Sequence, residues 1–309
     1  MKRVAFLFPG QGAQVVGMGK DFFDTFLVAR EVYQQGDEIL ERSLSKVVFE
    51  GPAESLTETK SSQTGIYLTS IALLRVLQEQ FPDLQPALCA GLSLGEYSAL
   101  TASNKLSFEM TLPLVQFRGE VMQAACEETR GTMAALFGLS AEQVETFVKE
   151  LALPDDLWVA NFNCPGQTVI SGTLKGVETG IEEAKKRGAK RAIPLKVHGA
   201  FHSGLMRGAK KRLQEKFTSI SLDDSPIGLV MNVPGALVTD REAMQKNLVR
   251  QVTSPVRWEQ GIRSVESEID LFVEIGCGRT LAGMNKQIGV MVPTITLNKV
   301  EDLEKLANL

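Results

Sequence analysis

The stretch Cys89 to Leu100, CAGLSLGEYSAL, sets a single serine between two glycines, with an apolar run before it and helical spacing after it. Pro86 to Gly91 reads as a buried strand and Ser98 through Ala102 continues a helix, so strand, tight turn and helix follow one another around Ser93. This order calls for an α/β fold, in which a strand covered on both faces feeds a helix packed on the sheet. Val4 to Phe8, ended by Pro9-Gly10, suits a second buried parallel strand, and Gln63 to Gln80 carries Ile66, Leu68, Ile71, Leu74 and Leu77 at helical spacing.

From Gly131 the pattern changes. It runs strand (Thr132 to Gly138), helix (Ala141 to Leu151), two strands about a Pro165-Gly166 turn, helix (Leu174 to Arg187) and strand (Ala192 to Val197). That βαββαβ order closes on itself as a small ferredoxin-like lobe. Strand-like runs return at Ile227 to Val233 and Leu271 to Ile275. The expected architecture is a large α/β-hydrolase-like lobe with a parallel sheet, residues 1–127 and 198–309, interrupted by the small lobe at 128–197.

The chain of 309 residues, 44% hydrophobic, is long enough for such a core, and its formal net charge of -4 gives no global basic field for nucleic acid. Four scattered cysteines form neither a metal-type pair nor a secreted disulfide framework, which points to a reducing compartment. The apolar run after the first residues ends at Pro9, too short for a signal or membrane segment, so the cytoplasm is expected.

The spacing Gly91-x-Ser93-x-Gly95 is that of a nucleophile elbow, where small flanking residues let backbone pass close to a strained turn; a chance match in a chain with 27 glycines is the alternative. The N–H of Leu94, at the head of the following helix, is placed to stabilise an oxyanion. A serine needs a base, and the chain holds only two histidines, His198 and His202. More than a hundred residues follow His202 and no acid stands out before it, unlike the Ser, acid, His order of a plain esterase.

Seven stretches in order, FPGQGAQ at 8–14, Gln63 with its helix, GLSLGEYSAL at 91–100, QFRGEVMQ at 116–123, NFNCPGQTVISG at 161–172, GAFHSGLM at 199–206 and QVTSPVRW at 251–258, resemble the malonyl-CoA:acyl carrier protein transacylases of fatty acid synthesis and the related polyketide acyltransferases. The resemblance runs nearly end to end. It implies that Ser93 accepts the acyl group, that His202 is its base, and that Gln251 orients His202 through a backbone carbonyl, which accounts for the missing acid. It further implies oxyanion donors at the Gln11 and Leu94 N–H groups and substrate-binding roles for Arg118, Phe201 and Gln63. A guanidinium at 118 can hold a free malonyl carboxylate through two parallel hydrogen bonds; an arginine on a helix face paired with Glu120 or solvent is the plain alternative. Phe201 resembles the family's signature for malonyl over methylmalonyl units, its ring filling the space of an α-methyl group.

Two positions depart from the family pattern. Leu92 stands where histidine is common, a position that points away from the chemistry in the elbow geometry. Pro113 lies inside the segment that should form the helix of Arg118 and predicts a kink or a late helix start. The implied partners are malonyl-CoA and acyl carrier protein, with no metal or redox cofactor. Lys185, Lys186, Arg187, Lys190 and Arg191 form a basic run on an otherwise acidic chain, suited to an acidic carrier or to CoA phosphates, and equally to a solvated helix end. An editing hydrolase of acyl carriers on the same fold and a carrier-docking module without catalysis are the other readings.

Overall fold

A computed structural model describes residues 2–197 and 199–307. In chain order the strands among these residues are β1 (Val4–Phe8), β2 (Pro86–Gly91), β3 (Gly131–Phe137), β4 (Leu157–Cys164), β5 (Gln167–Thr173), β6 (Arg191–Pro194), β7 (Gly228–Met231), β8 (Ala236–Val238), β9 (Val256–Arg257), β10 (Leu271–Ile275) and β11 (Thr294–Leu297). They form two sheets, one of order β11-β10-β1-β2-β7-β8 and one of order β6-β3-β5-β4-β9.

The first sheet is parallel from β11 to β7, with β8 antiparallel at one edge. All five residues of β1 are buried, and they alternate between layers: Phe6 and Phe8 join the cluster containing Ile66, Leu73 and Leu100, while Ala5 and Leu7 join the one containing Trp258, Ile262 and Leu281. Helices therefore cover both faces, which is why the strand reads as an unbroken apolar run rather than an alternating one. One of these helices, Thr59–Gln80, begins four residues before the expected start at Gln63.

The second sheet has the antiparallel β6-β3-β5-β4 order of the ferredoxin-like unit, closed over a separate core of Leu136, Val144, Phe147, Ile170 and Val177. Its helix Ala141–Glu150 starts in a capping box between Ser140 and Gln143, and its helix Leu174–Lys186 is capped by Thr173. The last strand ends at Pro194 instead of reaching Val197. The short strand β9, from the C-terminal part of the chain, pairs parallel with β4 and ties the two sheets together.

Pro113 does not delay its helix, which runs from Phe108 to Glu128 with Ser107 as N-cap. Pro113 and Glu109 both lie on the exposed side, so the Glu109 carbonyl that loses an N–H partner faces water. No helix among the described residues is long and apolar enough to cross a membrane.

One buried carboxylate is part of the framework. Glu274 on β10 is fully buried and accepts the Leu281 and Ala282 N–H groups at 2.9 Å each, satisfying the free donors that open helix Thr280–Ile288. Glu274→Gln turns one acceptor into a donor facing an N–H, so a loss of about 2 kcal/mol is expected, to be read as a lower urea midpoint at unchanged m-value.

Candidate active site

Three neighbouring strands of the parallel sheet, β1, β2 and β7, end side by side, and their C-terminal edges carry the loop of Gly10 to Gly12, the Ser93 turn and Asn232. This is where open α/β sheets place their sites. Ser93 sits in the left-handed region at φ 52°, a conformation that costs a non-glycine residue about 1–3 kcal/mol and persists only where surroundings hold it. The hold is close packing plus hydrogen bonds. A Cβ on Gly91 would lie 1.9 Å from the Gly95 carbonyl, and one on Gly95 would lie 2.1 Å from the Phe8 oxygen. The glycines on either side of the serine thus let turn, helix and β1 pass through one another's space. The Ser93 N–H donates to Asn232 Oδ1 at 2.7 Å, and Asn232 Nδ2 donates to the Gly91 carbonyl at 2.7 Å. Leu92 is partly buried against the apolar cluster of Trp258 and Leu281.

His202 lies 2.8 Å from Ser93 Oγ through Nε2 and 2.8 Å from the Gln251 carbonyl through Nδ1. A carbonyl only accepts, so the ring proton is on Nδ1 and the Nε2 lone pair faces the serine hydroxyl. Gln251 is the last residue of helix Arg241–Gln251, where carbonyls have lost their helical partners and are open to an outside donor. The second histidine, His198, lies outside the described residues. Burial pushes the His202 imidazole down to about 4, helped by the Arg118 cation and opposed by the hydrogen bond to Gln251. The neutral form therefore persists well below neutrality. Labelling of Ser93 by an uncharged fluorophosphonate should hold its neutral rate down to about pH 5 and fall with an apparent pKa near 4, read by intact mass.

Arg118 is fully buried and none of the ion pairs among the described residues includes it. Its Nη1 donates to Gln63 Oε1 at 2.5 Å, and its Nη2 donates to Gln251 Oε1 at 2.8 Å and to Ser93 Oγ at 3.2 Å. The guanidinium rests over the Tyr97 ring, and Nε has no hydrogen-bond partner among the described residues. Glu120, the alternative partner, instead accepts from Gln116 at the surface. Burial lowers the Arg118 pKa, yet a guanidinium stays charged, so the site holds a desolvated cation whose direct hydrogen-bond partners are all neutral, with the Glu96 carboxylate acting on it only through Gln251 and space. That is a strong place for an anion.

Gln63 reaches Gln11 Oε1 at 3.4 Å through its other side-chain atom. The N–H groups of Gln11 and Leu94 meet no protein acceptor among the described residues. Phe201 is the expected position that stays outside the hydrogen-bonded network; its ring is buried in the main apolar cluster against Gly199. In the basic run, Arg187 is tied to Glu183 and Glu150 at 2.7 Å each and Lys186 stands 3.8 Å from Glu183, while Lys185, Lys190 and Arg191 are exposed and make no ion pair among the described residues.

Two members of the network escaped the sequence reading. Glu96 is fully buried, with Oε1 accepting the Asn232 N–H and Oε2 accepting from Gln251 Nε2, both at 2.6 Å. Glu96 is not a third acid for the histidine: it bonds to Asn232 and Gln251, and the Gln251 backbone carbonyl remains the partner of His202. The available signals were a lone carboxylate in the apolar run after Ser93 and a lone amide in the apolar run ending at Val233.

A serine and a neutral imidazole in hydrogen-bond contact, N–H groups open at the helix head of Leu94 and in the Gln11 turn, and a buried cation define a site for moving acyl groups through a serine ester. The chain belongs to the acyl transferase family: residues 5–288 match the family described as acyl transferase domain. It is 42% identical over 306 residues to the malonyl CoA-acyl carrier protein transacylase of Bacillus subtilis, covering 98% of this chain and 96% of that one. The crystal structure of acyl-carrier-protein-S-malonyltransferase from Bartonella henselae superposes with a TM-score of 0.94 at 37% identity, covering 99% of this chain and 98% of the other. A malonyl-transacylase in complex with its type II PKS acyl-carrier protein gives 0.95 at 35% identity, covering 99% of this chain and 100% of that one.

Proposed function

We propose that this protein transfers the malonyl group of malonyl-CoA to the phosphopantetheine thiol of an acyl carrier protein by way of a malonyl ester on Ser93. The observation that carries the dicarboxylic substrate is the buried Arg118 guanidinium, without a carboxylate partner and in contact with Ser93 Oγ. His202 removes the serine proton as Oγ attacks the thioester carbonyl. The N–H groups of Gln11 and Leu94 receive the developing oxyanion, and the imidazolium returns its proton to the departing CoA thiolate. The carrier thiol repeats the sequence in reverse. An acyl group on Oγ replaces the bond between Oγ and Arg118, and its free carboxylate takes the guanidinium, with Gln63 and Gln251 holding the fork in place.

These steps draw on no metal or redox cofactor. Residues 1–127 with 198–309 form the catalytic lobe in this reading, residues 128–197 the smaller one, and Phe201 limits space beside the acyl chain. Lys185, Lys190 and Arg191, exposed and without ion pairs among the described residues, offer an acidic carrier a landing surface. Four unpaired cysteines fit a reducing cytoplasm.

The test is to mix enzyme, malonyl-CoA and carrier protein and follow both the carrier mass and free malonate. Malonyl on the carrier with little free malonate supports transfer; malonate released without carrier loading would establish the editing hydrolase instead.

A further inference from the structure

Glu96 takes no part in the transfer steps, yet it sits at the centre of the network that shapes the site. It stands in the first turn of helix Gly95–Ala102, three residues after Ser93. Both of its partners, the Asn232 N–H and Gln251 Nε2, are donors, so the bonded form is the ionised carboxylate, which only accepts. This charged acceptor makes the shortest of three bonds, the others to the Ser93 carbonyl and to Asn232 Oδ1 at 3.3 Å, that set which way the Gln251 amide faces. Its NH2 turns toward Glu96 and the Ser93 carbonyl, which it meets at 2.9 Å, and its oxygen is left for Arg118 Nη2 at 2.8 Å. The reversed amide would set NH2 against guanidinium and oxygen against carboxylate, two repulsions inside a buried site.

We propose that Glu96 is a positioning residue for substrate selection: by fixing the Gln251 amide it keeps an oxygen on Arg118 and holds the guanidinium where the free carboxylate of a dicarboxylic acyl group meets it. This rests on the transfer reading above. The His202 ring is held by the backbone carbonyl of Gln251, which the amide orientation does not touch, and the Ser93 turn keeps its close backbone packing and its N–H bond to Asn232 Oδ1 when the amide bond to its carbonyl weakens. Loss of Glu96 therefore weakens recognition of the carboxylate more than activation of the serine.

The same arrangement gives a pH signature. The titratable and charged groups facing Glu96 are Arg118 from helix Phe108–Glu128, Tyr97 on its own helix and, beyond Gln251, His202. Burial raises the Glu96 carboxyl to about 7, against the pull of the Asn232 N–H, the Arg118 cation and Gln251. Protonation removes the charged and closest of the acceptors that orient the amide, so malonyl capture weakens as pH falls through about 7 while His202 is still a neutral base.

The experiment compares wild type with Glu96→Gln on malonyl-CoA, acetyl-CoA and an uncharged fluorophosphonate that labels Ser93. Glu96→Gln is expected to lower malonyl kcat/KM about 10- to 100-fold, mainly through KM, and to change fluorophosphonate labelling less than about 3-fold. In wild type, which needs no variant to fold, malonyl kcat/KM should titrate near pH 7 with fluorophosphonate labelling flat across that range. Equal losses on all three probes, an unchanged malonyl-to-acetyl ratio, or coincident wild-type pH profiles would each overturn the positioning role. Failure of the transfer reading shows differently, as a wild-type enzyme that takes no malonyl group at any pH.

Discussion

Ser93→Ala should lower malonyl transfer to the carrier by about 10⁴-fold or more, with circular dichroism and urea midpoint close to wild type. The size follows from the division of labour in the site. Oγ is the atom that receives the acyl group, and the His202 imidazole at 2.8 Å has no other protein hydroxyl to activate. Without Oγ the oxyanion donors and the Arg118 cation remain, but only water is left to attack, and attack by water releases malonate without loading a carrier. The fold should survive because the bonds that hold the turn come from the Ser93 backbone: its N–H to Asn232 and its carbonyl to Gln251. Steady carrier loading by Ser93→Ala would remove the serine from the reaction.

Arg118→Ala should cost malonyl transfer about 1.5–3 kcal/mol more than acetyl transfer, or about 10- to 150-fold in the ratio of kcat/KM. The ratio is the proper readout because truncation also strips Gln63 and Gln251 of a donor and empties space in the core, effects common to both acyl groups. What remains after division is the interaction with the carboxylate that acetyl lacks. Arg118→Lys should fall between the two, since an ammonium keeps the charge and loses the parallel fork. An unchanged ratio in Arg118→Ala would rule out a carboxylate clamp.

How much of this was readable beforehand depended on whether the cause was local. The elbow was legible because strand, turn and helix follow one another directly from Pro86 to Ala102 and the two glycines mark a close backbone approach. The ferredoxin-like lobe was legible because its core is internal, so each strand and helix carries its own apolar pattern. Strand β9 was not: two residues have no periodicity, and their pairing with β4 is decided by chain some 95 residues away. The amphipathic helix Leu27–Ile39 was passed over because no motif drew attention to it. That Pro113 lies inside its helix and does not delay the helix start turns on the exposure of that face, which no local pattern carries.

The site divided in the same way. Ser93, His202, Arg118, Gln63 and Gln251 lie in stretches that carry the family resemblance, and the structure brings them into one hydrogen-bonded group. The second function of Gln251 was hidden, because its side chain and its backbone carbonyl serve different partners. Glu96 and Asn232 meet across 136 residues, and a buried carboxylate between two donors has no local pattern.

The most direct test is to incubate the protein with malonyl-CoA alone, quench in acid and determine the intact mass and the modified peptide. The account predicts one malonyl group per chain on the peptide containing Ser93, discharged when carrier protein is added before the quench. An unmodified chain, or a malonyl group on a peptide without Ser93, would contradict it.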